Sequence, residues 1–114
     1  MNRLSVILLT LAAFSAAGGQ LLFKIGARGR ENFFEFINIT ILVGILIYGI
    51  ATIIWIYVLS YEKLVNVYAF TALTFVLVYL CGIFILNEKV SIAGIVGIFL
   101  VIGGLYLIAS NYNT

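Results

Sequence analysis

The sequence predicts an all-α integral membrane protein with four transmembrane helices, and three observations lead there. Apolar runs of bilayer length recur along the whole chain. Of its 114 residues, 65% are hydrophobic and only 9% are charged, far outside the soluble range. Most of the charged side chains also collect in three short clusters between the apolar runs. A bilayer core takes about 20 apolar residues per helical span, with a range of roughly 17 to 25. Only a helix satisfies all its backbone groups within one segment in lipid, so each run is read as a helix rather than a strand.

The first span is read from Leu4 to Phe23. A cleavable leader would be followed by a polar mature domain, so this span is expected to be retained. The second runs from Phe36 to Leu59, after the loop Gly26–Glu35 with its charged cluster. The third runs from Leu64 to Leu86, after the turn Tyr61-Glu62-Lys63, and the fourth from Ile92 to Ala109, after Asn87-Glu88-Lys89. Short connections make successive helices antiparallel neighbours, so residues 1–114 form one four-helix domain with both termini on one side. The N-terminal side then carries Arg3 and Lys63, and the other side Lys24, Arg28, Arg30 and Lys89. That excess places the first and third loops in the cytoplasm by the positive-inside rule. The margin is narrow, which leaves insertion in both orientations, and an antiparallel dimer, open.

In lipid, helices associate through close contact at small residues, because no hydrophobic force draws them together. Gly18 and Gly19 in the first span, and Gly97, Gly103 and Gly104 in the fourth, are therefore the expected packing positions. There is no proline. A helix break would have to use glycine, and Gly18-Gly19 is the expected place. Four helices enclose little space, so a dimer is the expected working unit, either a homodimer or a heterodimer with a similar subunit.

Little material for catalysis is present. There is no histidine, and the single cysteine, Cys81, lies within an apolar run, which argues against a metal cluster, a disulfide framework or a hydrolytic triad. No cofactor is expected, and the net charge of +2, without a basic stripe, gives no reason to expect nucleic acid. Gln20 and Lys24 stand four apart and share a helix face, where an ammonium and an amide suit a phosphate or carboxylate. The competing reading for Lys24 is snorkelling to the headgroups. Tyr68, Thr71 and Thr74 share a face of the third span and are read as cavity lining, against threonines bonded back to their own helix. Tyr48, Trp55, Tyr57 and Tyr61 are read as belt and packing residues. Glu88 is either a carboxylate stabilised at the start of the fourth helix, with Ser91 as N-cap, or a gating charge paired with Arg28, Arg30 or a second chain. Arg28 and Arg30 are otherwise a solvated loop or a headgroup contact. No carboxylate lies inside a span, which disfavours proton antiport.

GGQLLFK closing the first span, VYAFTALTFVLVYL in the third, and NEKVS leading into IAGIVGIFLVIGG together resemble the drug/metabolite transporter superfamily over essentially the whole chain. Its small multidrug resistance exporters have this length and layout, with a first-helix glutamate eight residues before the lysine. Ala16 stands in that place here, and Thr71 stands where their third helix has tryptophan. The four-helix branch of undecaprenyl-phosphate aminoarabinose flippase subunits is more similar. It shares Gly19, Gln20, Leu21 and Lys24, then Leu73, Phe75 and Val76, then Glu88, Val90 and Ser91, and Gly97, Gly103 and Gly104; Ala69 departs from that branch's usual proline.

The resemblance implies an inner-membrane transporter, not an enzyme, that translocates a lipid-linked sugar or polyprenyl-phosphate substrate as a dimer. On that reading Lys24 and Gln20 hold the phosphate while Tyr68 and Thr71 line the headgroup groove. The alternatives are an exporter of small cations and a non-transporting membrane subunit of a glycosyltransferase complex.

Overall fold

The computed structural model describes residues 2–110, and every regular element among them is helical. Helix α1 spans Arg3–Ala27, so it continues past Phe23 and carries Lys24 within its last turn. Asn2 caps it, its Oδ1 accepting the Ser5 N–H at 2.8 Å. A short 3₁₀ helix, Phe33–Phe36, crosses the first loop, leaving Phe33 and Phe34 exposed beside the charged cluster. Helix α2 follows at Ile39–Leu59. The third span is divided into α3, Leu64–Tyr68, and α4, Thr71–Phe84, and α5 is Ile92–Ser110. Three spans, Arg3–Ala27, Ile39–Leu59 and Leu64–Phe84, are long and apolar enough to cross a membrane. The apolar run of α5, Ile92–Ile108, lies at the short limit of about 17 residues.

The most extensive packing is between α1 and α2, and it depends on missing side chains. A Cβ on Gly19 would lie 3.0 Å from the Gly44 carbonyl oxygen, and one on Gly44 would lie 3.1 Å from the Gly19 oxygen. The two backbones therefore meet directly, the arrangement by which helices in lipid gain van der Waals contact. One turn further, the Phe23 ring covers Gly44 and stands 5.9 Å from Tyr48. At the loop end, Asn38 caps α2 by accepting the Ile41 N–H at 3.1 Å, while its amide donates to the Gly26 carbonyl at 3.0 Å. Gly26 has no room for a side chain, since a Cβ there would lie 2.5 Å from Ile41 Cγ1.

At the opposite end α1, α2 and α3 meet in a small apolar core of Leu9, Val58 and Val67, flanked by Trp55, Leu59 and Phe70. The buried Ser5 hydroxyl lies 2.8 Å from Glu62 Oε1, tying the start of α1 to the turn after α2. Large apolar side chains elsewhere face outward on every span, as lipid contact requires. Helix α4 leans on the other side of α1, while α5 touches α3 and α4 only sparingly and buries none of its described side chains.

Two expectations from the sequence are corrected here. The Gly18-Gly19 pair does not break α1, because Gly19 is held against α2 and the helical bonds continue through it. The irregularity lies instead at Ala69-Phe70, where Phe70 N–H donates to Val67 O at 3.0 Å and Ala72 N–H to Ala69 O at 3.4 Å. These i to i−3 bonds tighten the helix into a 3₁₀ turn. The surrounding Val65, Asn66, Val67, Tyr68, Phe70 and Thr71 are all modest helix formers, so this is where the third span yields.

The glycine seam gives a direct test. Gly19→Leu inserts a side chain where two backbones touch and lowers stability by about 1–3 kcal/mol or more. Gly18→Ala, with nothing within 4 Å of its added Cβ in mid-helix, raises it by about 0.5–1 kcal/mol. Thermal unfolding in detergent, followed by Trp55 fluorescence, separates the two.

Candidate functional site

Helices α2 and α4 pack on opposite flanks of α1 without extensive contact with each other, and a gap opens between them. A cavity of about 330 Å³ occupies it, within the range of about 300–1,000 Å³ usual for small-ligand sites. Helix α1 contributes a floor of small residues, Ala12, Ala13 and Ala16, with Gln20 at one end. Helix α2 contributes Tyr48, Ala51, Thr52 and Trp55, and the third span Tyr68, Phe70, Thr71 and Thr74. Trp55 and Tyr68 face one another with ring centroids 6.4 Å apart and planes inclined at 60°. Thr52 spends its hydroxyl on the Tyr48 carbonyl at 3.0 Å. The Thr71 and Thr74 hydroxyls and the Gln20 side-chain amide have no hydrogen-bond partner among the described residues, so these groups are free for a ligand.

Lys24 lies outside this cavity, in a second one of about 240 Å³ between α1 and α4. Its walls include Ala17, Gln20, Leu21, Cys81, Gly82 and Glu88. Gln20 belongs to both cavities and is their common wall. An apolar, ring-lined space with free hydroxyls thus adjoins a space holding a lysine, with one amide able to reach into either. Chemically, the first suits a compact polar ring whose C–H faces lie on aromatic rings, and the second suits an anion.

The residues singled out from the sequence separate accordingly. Gln20, Tyr68 and Thr71 come together in the larger cavity, and Gln20, Lys24 and Glu88 in the smaller. Arg28 and Arg30 enter neither: α1 ends before them, and Arg30 Nε turns back to donate to the Gly26 carbonyl at 3.2 Å. The cation that Glu88 meets is therefore Lys24, at 3.9 Å from Nζ to Oε2, rather than Arg28 or Arg30. Ser91 caps α5, its Oγ accepting the Gly94 N–H at 3.1 Å. Of the packing glycines, Gly19 meets α2, whereas a Cβ on Gly18, Gly97, Gly103 or Gly104 would meet nothing within 4 Å.

Sequence reasoning assigned Tyr48 and Trp55 to belt and packing and did not single out Thr52, whereas all three line the first cavity. The signal was present: Tyr48, Ala51, Thr52 and Trp55 follow the i, i+3, i+4, i+7 spacing of one helical face. Gly44 and Gly82 carried no such signal, since their importance lies in what approaches them from another element.

The fold defines a class, a small multi-pass membrane protein with cavities between its helices. The chain belongs to the EamA-like transporter family, whose model matches residues 1–110, and it is accordingly a transporter of the inner membrane rather than an enzyme. It is 27% identical over 107 residues to the probable 4-amino-4-deoxy-L-arabinose-phosphoundecaprenol flippase subunit ArnE of Enterobacter sp. (strain 638), covering 92% of this chain and 96% of that relative. No solved structure matches it significantly.

Trp55 is the only tryptophan, so it reports on the larger cavity directly. Ala16→Phe fills the floor of that cavity and lowers quenching of Trp55 by acrylamide about twofold, with the helical circular dichroism unchanged.

Proposed function

We propose that the chain is one subunit of a dimeric flippase that moves a lipid-linked sugar of the polyprenyl-phosphate type across the inner membrane. One observation carries the reading: Gln20 joins a cavity suited to a sugar ring to a cavity holding a cation suited to the adjacent phosphate. A phosphate bonded to a sugar needs such neighbouring environments one bond apart. The gap between α2 and α4 supplies a path for the prenyl chain, which stays in the bilayer while the headgroup crosses. The name of the Enterobacter relative, a phosphoundecaprenol flippase subunit, supports the same substrate class.

In this mechanism Lys24 binds the phosphate through a charge-assisted contact, strengthened by the apolar surroundings at the membrane boundary. Gln20 donates to a second phosphate oxygen or to the glycosidic oxygen. Tyr68 and Trp55 stack on the sugar, and Thr71 and Thr74 exchange hydrogen bonds with its hydroxyls. These groups replace the water that a polar headgroup loses on entering the membrane. The small-cation exporter is less well supported, since no carboxylate lines the larger cavity among the described residues and Ala16 is part of its floor.

The partner in the dimer is a second copy or a similar subunit, seated on α5. None of that helix's described side chains is buried, and its Gly97, Gly103 and Gly104 face open space within the chain, although small residues are what close helix contact uses in lipid.

Two experiments test the reading. In liposomes, the purified protein translocates a fluorescent short-chain prenyl-phosphate sugar, and Lys24→Ala or Gln20→Ala slows it about tenfold or more while the protein still assembles. Full-rate flipping by both variants overturns their assignment; no transport together with stable association with a glycosyltransferase favours the non-transporting subunit instead. In the second, Gly97→Leu and Gly104→Leu reduce cross-linked dimer in membranes and leave the helical content of the chain unchanged.

A further inference from the structure

We infer that Glu88 is a resident competing anion for Lys24, a latch that an incoming phosphate displaces; this rests on the reading of Lys24 as the phosphate's partner. The carboxylate is brought there by the backbone. Asn87, with φ of 55°, takes the left-handed conformation that asparagine tolerates and turns the chain back after α4. Glu88 N–H then donates to the Gly82 carbonyl at 2.9 Å. Gly82 is buried, and a Cβ there would lie 2.5 Å from Glu88 Oε1, so the missing side chain is the seat of one carboxylate oxygen. The other oxygen faces Lys24 Nζ across the gap between α1 and α4.

This placement separates Glu88 from an ordinary acid at a helix start. The N-cap role belongs to Ser91, and no N–H of α5 donates to the Glu88 carboxylate among the described residues. Instead the carboxylate lines two cavities at once, the one with Lys24 and Gln20 and another of about 360 Å³ with Phe75, Tyr79 and Lys89. It is a movable wall between them. At 3.9 Å the ion pair is longer than a charge-assisted hydrogen bond, and both side chains are about half exposed, 55% and 49%, so little is lost when it opens.

A phosphate arriving at Lys24 meets a carboxylate of like charge and replaces it as the ammonium's partner. Glu88 then leaves the Gly82 notch, and the linker from Asn87 to Ser91, which leads into α5, loses its tie to α1. Because α5 contacts the rest of the chain only sparingly, release of this tie couples headgroup binding to the helix proposed as the subunit contact.

The test is equilibrium binding of a short-chain prenyl phosphate to the full chain in nanodiscs, with inorganic phosphate as the headgroup-only probe. Glu88→Gln removes the competitor and tightens binding about three- to fivefold. Gly82→Ala keeps the charge but fills its seat, and shifts affinity in the same direction. Lys24→Ala weakens binding, and adding Glu88→Gln to it gives no gain, which marks the two residues as one coupled pair. If Lys24→Ala leaves affinity unchanged, the phosphate reading itself fails. If Lys24→Ala weakens binding while Glu88→Gln leaves it unchanged or lowers it, the latch is overturned and the phosphate reading stands. Tightening for the prenyl phosphate but not for inorganic phosphate assigns the displacing ligand to the lipid headgroup rather than free phosphate; tightening for both assigns it to the phosphate group alone.

Discussion

The contact on which the rest of the structure depends is the backbone approach of Gly19 to Gly44. In lipid, apolar side chains gain nothing by leaving the solvent, so two helices stay together only where their surfaces fit closely or exchange hydrogen bonds. The glycine pair provides the first and the Asn38–Gly26 bond the second, about two turns further along the same seam. Weak Cα–H···O contacts accompany backbones this close. With α2 fixed along one side of α1, the third span packs along another flank, and the space between α2 and α4 is left as a cavity.

That division of labour explains why α1 is built from such small residues. Its Gly19 and Gly26 admit α2, its Ala17 lines the cavity beside α4, and its Ala12, Ala13 and Ala16 form a floor that takes up little volume. One helix serves as the hub and the cavity base together. The polar groups over that floor are few, but each costs free energy if left without a partner in a dry interior. Among the described residues the Thr71 and Thr74 hydroxyls and the Gln20 amide are left without protein partners, which is tolerable where water or a ligand supplies them and wasteful elsewhere.

The charged end follows a different logic. Lys24 sits at the last turn of α1, where a cation is favoured by the helix dipole, and it faces a carboxylate delivered by a turn after α4. Both side chains are about half exposed, and the tie between them joins α1 to the turn after α4. An ion pair this exposed resists separation weakly and responds to a competing anion, even though the α1–α2 seam closes tightly beside it. The opposite end, with Ser5, Asn2 and Glu62 around the Leu9–Val58–Val67 core, is the better-packed anchor. Motion is therefore expected to concentrate at the Lys24 end and at the tightened turn of Ala69-Phe70.

Much of this was legible before any coordinate. Run length and the confinement of charge to loops determined the helical membrane fold, because bilayer thickness and backbone satisfaction leave almost no alternative. The i, i+4 spacing put Gln20 beside Lys24, and the same periodicity joined Tyr68 to Thr71. Periodicity describes one helix at a time, however, and it was silent on what faces what. Only the tertiary structure decided that Gly19 and not Gly18 is a packing surface, that the third span rather than the first is irregular, and that Trp55 lines a cavity. Only it brought Glu88 to Lys24, because that contact is made by a left-handed residue and an absent side chain on a different element, neither of which leaves a repeat in the sequence.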